Sequence, residues 1–252
     1  AANIRHHTST ARTAAELHAL GEREVAATDA RMIELGQRLF GVATLPEVIA
    51  HLRTDEALGY ATSDAILEDA RARVAAAEAA APAFFTERPQ QTCEVVPIPA
   101  AEAAGAGFAY YFPGAPDGSR GGMFFVNTAD PTSRRRHMLA SLAAHEAVPG
   151  HHFQVSIAQT LPDMPAFRRN GGFTAYVEGW GLYAERLADE MGLYRDDLDR
   201  LGATDLEAFR SARLVVDTGM HAMGWSRTQA EDYLRAHTSM SDDLIVNEVD
   251  RY

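Results

Sequence analysis

Apolar residues recur at helical spacing over most of the chain. Residues 10–40 are rich in Ala, Leu, Glu and Arg, with apolar positions three and four apart, the pattern of an amphipathic helix. Pro46 stands at a first helical position before Glu47-Val48-Ile49. Thr62 or Ser63 is placed to cap a helix running through Ala65-Ile66-Leu67 and the alanine-rich stretch to Ala81, which Pro82 ends. The middle of the chain changes period. Cys93–Ile98, Phe108–Phe112 and Met123–Val126 are short apolar runs with β-branched and aromatic residues and read as strands. The segment between the last two, Pro113–Gly122, is rich in Gly and Pro and reads as a loop. From Pro131 the helical pattern returns, with helices expected at 131–160, 173–191 and 205–223. Ser226 opens a fourth, with Gln229 in capping-box position, and a last helix starts near Ser241 and is still running at Tyr252. The expected fold is mainly α with a small antiparallel β-sheet. Residues 1–90 form an N-terminal helical region, and 91–252 carry the sheet and the helices of chemical interest, packed together as one compact unit. An end without a C-cap signal reads as a C-terminal piece of a longer protein.

Composition narrows the class. The 252 residues are 46% hydrophobic, 23% charged and 8% aromatic, which fits a globular chain and argues against disordered, collagen-like and disulfide-scaffold proteins. No stretch approaches the roughly 20 apolar residues that span a bilayer. A net charge of −12, from 23 basic and 35 acidic residues, has the wrong sign for a nucleic-acid partner. The one compact basic run, Arg134-Arg135-Arg136, reads as a solvated helix start. The single cysteine, Cys93, excludes an internal disulfide and any zinc site built on Cys pairs. It also fits a reducing compartment, and the first seven residues lack the apolar core of a signal peptide. A cytoplasmic location is the simpler expectation, with export left open. Oligomeric state is not encoded in these patterns.

The chemistry concentrates in His145-Glu146-Ala147-Val148-Pro149-Gly150-His151-His152. A zinc-hydrolase helix ordinarily presents two His at i and i+4, with a Glu beside the first to act on bound water. Here the i+4 position is Pro149, which cannot ligate. Proline inside a helix removes a donor and crowds the carbonyl four residues back, and Gly150 relaxes the backbone beside it. A bulge or break is expected, which brings His151 to the place of the second ligand. In an unbroken helix His152 would share the face of His145 instead, because seven residues make nearly two turns. Pro-Gly favours His151. Catalytic zinc usually takes three protein ligands. Glu178, on the otherwise apolar and aromatic stretch Tyr176–Glu185, is the candidate third, since a buried carboxylate there needs a partner. Glu185 lies seven residues on, on the same face, and is placed to orient a ligand histidine. On the next helix Asp217 and His221 are at i and i+4, so they could hydrogen-bond, and His221 could donate to an oxyanion. Arg213 could pair with Asp217 or bind a substrate carboxylate. Tyr110, Tyr111, Tyr176 and Tyr183 are candidate phenol donors. Arg120 and Asn127 flank a strand edge suited to an extended peptide.

His145–Gln154 resembles the signature of bacterial domain-of-unknown-function family 885. The resemblance continues in Asp117-Gly118-Ser119-Arg120, Phe125-Val126-Asn127, Glu178–Tyr183, Arg213–His221 and Val249-Asp250-Arg251-Tyr252. It is clear over residues 90–252 and looser before them. Members look like zinc peptidases of gluzincin type, distantly similar to the thimet-oligopeptidase and carboxypeptidase Taq groups. The resemblance implies Zn2+ held by His145, His151 and Glu178. It also implies Glu146 as general base, His221 as transition-state donor and Tyr252 lining the cleft. The expected activity is zinc-dependent hydrolysis of short peptides. A metallohydrolase acting on a non-peptidic amide or ester, and an inactive truncated binding module, are the rival readings. The expected partner is a peptide or small-molecule substrate.

Overall fold

The computed structural model describes residues 2–252. In chain order the helices are α1 (Ala2–Thr8), α2 (Ala14–Phe40), α3 (Leu45–Thr54), α4 (Ser63–Ala80), α5 (Ala100–Ala103), α6 (Leu139–Glu146), α7 (His151–Thr160), α8 (Ala166–Arg169), α9 (Thr174–Glu190), α10 (Asp197–Ala222), α11 (Arg227–His237) and α12 (Asp242–Val249). The strands are β1 (Cys93–Pro97), β2 (Ala109–Phe112) and β3 (Gly122–Val126). The fold is mainly α with one small sheet. Among the described residues, no helix is long and apolar enough to cross a membrane.

The chain forms two compact units. The first takes the residues through Glu56 together with Asp196–Tyr252. Here Thr13 and Glu16 close a capping box at the start of α2, and Gly41 ends it in the left-handed region, φ 71°. Val25 of α2 packs with Ala212, Val215 and Val216 of α10, and α11 and α12 add Ala230, Leu234, Ile245 and Val249. The second unit is Ala57–Arg195. Its sheet has the order β1-β3-β2, and the alternation along β3 buries Phe124 and Val126. These pack with Ile66, Ala70 and Val74 of α4 and with Leu139 and Ala143 of α6. A neighbouring cluster joins Ala77 of α4, Phe153 of α7 and Leu187 of α9.

Four expectations are corrected. The sheet is mixed: β2 pairs antiparallel with β3, but β1 runs parallel to it. Residue pattern marks the strands without setting their direction. The span 131–160 is two short 3-10 turns, then α6, then α7. Helix α10 begins at Asp197, because Asp196 accepts from the N–H groups of Leu198 and Asp199 and caps it there. Helix α12 ends at Val249. The chain leaves the first unit after Glu56 and returns at Asp196 to lay α10 along α2.

Each unit holds a tyrosine beside carboxylates, half-buried in the first (Tyr233) and buried in the second (Tyr60). Burial, with Glu22 and Asp29 adding to it, pushes Tyr233 up to about 12. Burial and Asp69, which accepts from its hydroxyl at 2.8 Å, push Tyr60 well above the tyrosine range. An unfolded tyrosine titrates near about 10. Above that pH the unfolded chain has released protons that the folded chain still holds, so stability is full below about 10 and falls as pH rises toward 12. A spectrophotometric titration should show a late phenolate class appearing together with loss of the helical circular-dichroism signal. All tyrosines ionising near 10 with the helices intact would contradict this.

Candidate metal centre

The site starts from the break between α6 and α7. Helix α6 ends at Glu146, and Ala147 (φ −106°, ψ −101°) and Gly150 (φ −80°, ψ −128°) leave helical geometry on either side of a cis Val148–Pro149 bond. Helix α7 then opens on His151. The Trp180 indole N–H donates to the Pro149 carbonyl at 2.8 Å, pinning the turn to α9. As a result the His145 and His151 rings meet edge to face, with centroids 4.5 Å apart.

Glu178 of α9 completes the group. One of its oxygens lies 3.4 Å from His145 Nε2, and the other 3.8 Å from His151 Nε2. Each of the three residues offers one ligand atom, and these atoms lie within 4.8 Å of one another. Both rings are buried, whereas the Glu178 side chain is 58% exposed. The cluster therefore opens to solvent on the Glu178 side. The sequence expected a buried carboxylate there. The N-terminal turns of α9 are open, and only its later turns are covered.

Glu185, two turns along α9 and buried, faces His145 from behind. Its Oε1 lies 2.7 Å from His145 Nδ1, and its other oxygen accepts from the Ser141 hydroxyl. A carboxylate accepts, so Nδ1 carries the hydrogen and the Nε2 lone pair is turned toward Glu178. The Tyr194 hydroxyl donates to the Glu185 main-chain oxygen at 2.6 Å. Glu146 is partly buried at the end of α6, next to His145.

Pattern reasoning missed Gly181. A Cβ there would stand 2.5 Å from His145 Cε1 and 2.7 Å from Nε2, so the ring lies directly on the helix backbone. Gly179, two residues earlier, has nothing within 4 Å of a Cβ. The paired glycines around Trp180 were the available signal. Gly179→Ala is expected to stabilise the protein by about 0.5–1 kcal/mol through helix propensity alone. Gly181→Ala should destabilise it and displace His145. Equal thermal shifts for the two variants would contradict this packing.

His152 does not join the cluster. It is buried and turned to the sheet, with Nε2 3.1 Å from the Gln91 carbonyl oxygen and Nδ1 3.1 Å from the Tyr111 hydroxyl. Burial holds its pKa below the ordinary histidine value. Of the two candidates, His151 is the one that meets His145 and Glu178. Arg120 staples its loop. It donates to the Gly121 and Pro113 carbonyls, each at 2.8 Å, and lies over the Phe112 ring. Asn127 is fully buried and donates to the Ala103 carbonyl at 2.8 Å. Tyr110 stacks on Phe125, and Tyr176 and Tyr183 are exposed.

The remaining candidates belong to the first unit, whereas His145, His151 and Glu178 lie wholly in the second. His221 and Asp217 are exposed on the last turns of α10 and form no hydrogen bond with each other. Arg213 pairs with Glu248 at 2.9 Å rather than with Asp217, because that buried carboxylate on α12 needs a cation. The Tyr252 hydroxyl sits between them, 3.2 Å from Arg213 Nε and 2.9 Å from Glu248.

Fold and site together define a mainly helical protein in which a broken helix and the next long helix assemble two imidazoles and a carboxylate. The chain belongs to the family of bacterial proteins of unknown function DUF885, whose model matches residues 1–252. It is similar to the crystal structure of a Colwellia psychrerythraea protein designated a candidate lipoprotein. That similarity has 31% identity and a TM-score of 0.94, over 99% of this chain and 44% of the other. The chain thus spans less than half the length of that relative. No curated protein matches it.

Proposed function

We propose that His145, His151 and Glu178 hold a zinc ion and that the protein is a zinc-dependent peptidase acting on short peptides. The observation carrying this is the convergence of three donors within 4.8 Å. Two imidazoles and a carboxylate suit zinc, and three protein ligands with one open side are the arrangement of a catalytic rather than a structural ion. The carboxylate behind His145 is the usual support of such a ligand. When bound, zinc lowers the pKa of water and polarises a carbonyl oxygen. Glu146, adjacent to His145, accepts the proton of the attacking water and passes it to the leaving amine. Glu178 and the two imidazoles would hold the ion, with the exposed side of the cluster left for substrate. The roles that family resemblance implies for His221 and Tyr252, and those that spacing suggests for Asp217 and Arg213, carry no weight in this reading. The Colwellia relative's designation supports an exported location, which cell fractionation tests.

Purified protein, stripped with a chelator and reloaded with zinc, is assayed on short peptides and on matched ester and non-peptidic amide analogues. Peptide hydrolysis that is lost on stripping and regained with zinc is expected. Activity confined to the analogues would replace the substrate class. No zinc-dependent hydrolysis of any substrate would overturn the reading.

A further inference from the structure

We propose that His152 is a positioning residue, tying the opening turn of α7, and with it His151, to the small sheet. Its functional consequence rests on the zinc reading above, while its structural content rests on hydrogen bonds alone. The first N–H groups of a helix have no acceptor within it. The helical bonding of α6 runs out at Ala147, whose N–H still donates to the Ala143 carbonyl. Across the break the main chain supplies one long bond, from the Phe153 N–H to the Ala147 carbonyl at 3.3 Å, and side chains add the rest of the hold on the His151 turn. On one side the turn is held by the Trp180–Pro149 bond. On the other it is held by His152.

The His152 ring is 2% exposed and both of its nitrogens are engaged. The Gln91 carbonyl can only accept, so Nε2 carries the hydrogen. Nδ1 is then the acceptor for the Tyr111 hydroxyl, with the Ser156 hydroxyl of the next helical turn also 3.3 Å away. The Tyr111 ring meets the imidazole edge to face, with centroids 5.7 Å apart. At Gly122 a Cβ would stand 2.6 Å from both His152 Nδ1 and the Tyr111 hydroxyl, so the sheet leaves a slot of glycine size for this ring. The contacts come from the segment just before β1, from β2 and from the first residue of β3. One side chain thus gathers β2, β3 and the approach to β1 onto the residue beside a candidate ligand. Loss of such outer support typically weakens metal binding about 10–100-fold.

The test uses wild type, Tyr111→Phe, His152→Gln and His152→Phe. Tyr111→Phe removes one oxygen. His152→Gln keeps a donor for the Gln91 carbonyl, and His152→Phe keeps a ring without hydrogen bonds. Zinc affinity is measured by competition with a chromophoric chelator, and amide hydrogen exchange on the metal-free proteins. Affinity should fall about 10–100-fold in His152→Phe, fall less in Tyr111→Phe, and recover in part in His152→Gln. Amides of residues 152–155 should exchange faster in His152→Phe and Tyr111→Phe while α9 keeps its protection. If His152→Phe does not fold, the other two variants decide. Wild-type affinity in all variants would overturn the proposal. A wild type that takes up no zinc sinks the metal reading instead, and unchanged exchange at α7 then separately overturns this one.

Discussion

His145→Ala is expected to remove tight zinc binding and also to destabilise the metal-free protein. The two losses have different sources. Zinc held by protein ligands is worth about 10–16 kcal/mol in well-formed four-ligand sites, so one ligand in such a set carries roughly 3 kcal/mol, or about a hundredfold in affinity. The second loss comes from Glu185. It is 3% exposed, and the substitution takes away the imidazole that lies 2.7 Å from its Oε1 while the Ser141 bond stays. Breaking a buried pair by removing one partner costs about 3–5 kcal/mol, which in a chain of this size lowers the melting temperature by about 6–20 °C. Glu178→Gln separates the terms. Its side chain is 58% exposed, so the metal-free protein should melt within about 2 °C of wild type while zinc affinity still falls. Calorimetry on stripped proteins with chelator competition on reloaded ones reads both quantities. Equal melting of His145→Ala and wild type would show that Glu185 does not depend on that ring.

Glu146→Gln should separate chemistry from binding. The substitution keeps the shape of the side chain and removes its capacity to accept a proton. Zinc content should stay at the wild-type level because His145, His151 and Glu178 are untouched. The kcat for peptide hydrolysis should fall by about 10²–10⁴-fold, the usual contribution of a positioned general base. A variant that keeps both zinc and wild-type kcat would remove Glu146 from the mechanism. A variant that loses zinc would make it part of the ion's support.

Local chemistry was legible in the sequence wherever a single side chain decides the outcome. Pro149 and Gly150 announce the helix break, Ser226 and Gln229 announce a cap, and the seven-residue spacing of Glu178 and Glu185 puts both on one face of α9. His151 was separable from His152 only through the break, and the reason His152 turns away lies in strands far off in sequence. The direction of β1 and the pairing of α2 with α10 depend on contacts between distant segments, which periodicity does not carry. Gly181 was visible as a letter but not as a need, because the ring that requires it comes from α6. Arg213 is engaged by Glu248 on α12 and Arg120 by carbonyls of its own loop, contacts that the sequence pattern does not carry.

The most direct measurement is anomalous diffraction at the zinc edge from crystals of the zinc-loaded protein. The account predicts a peak about 2.0–2.2 Å from His145 Nε2, His151 Nε2 and a Glu178 oxygen, with a further position open toward solvent. A peak on His152, or none between the two helices under saturating zinc, would contradict it.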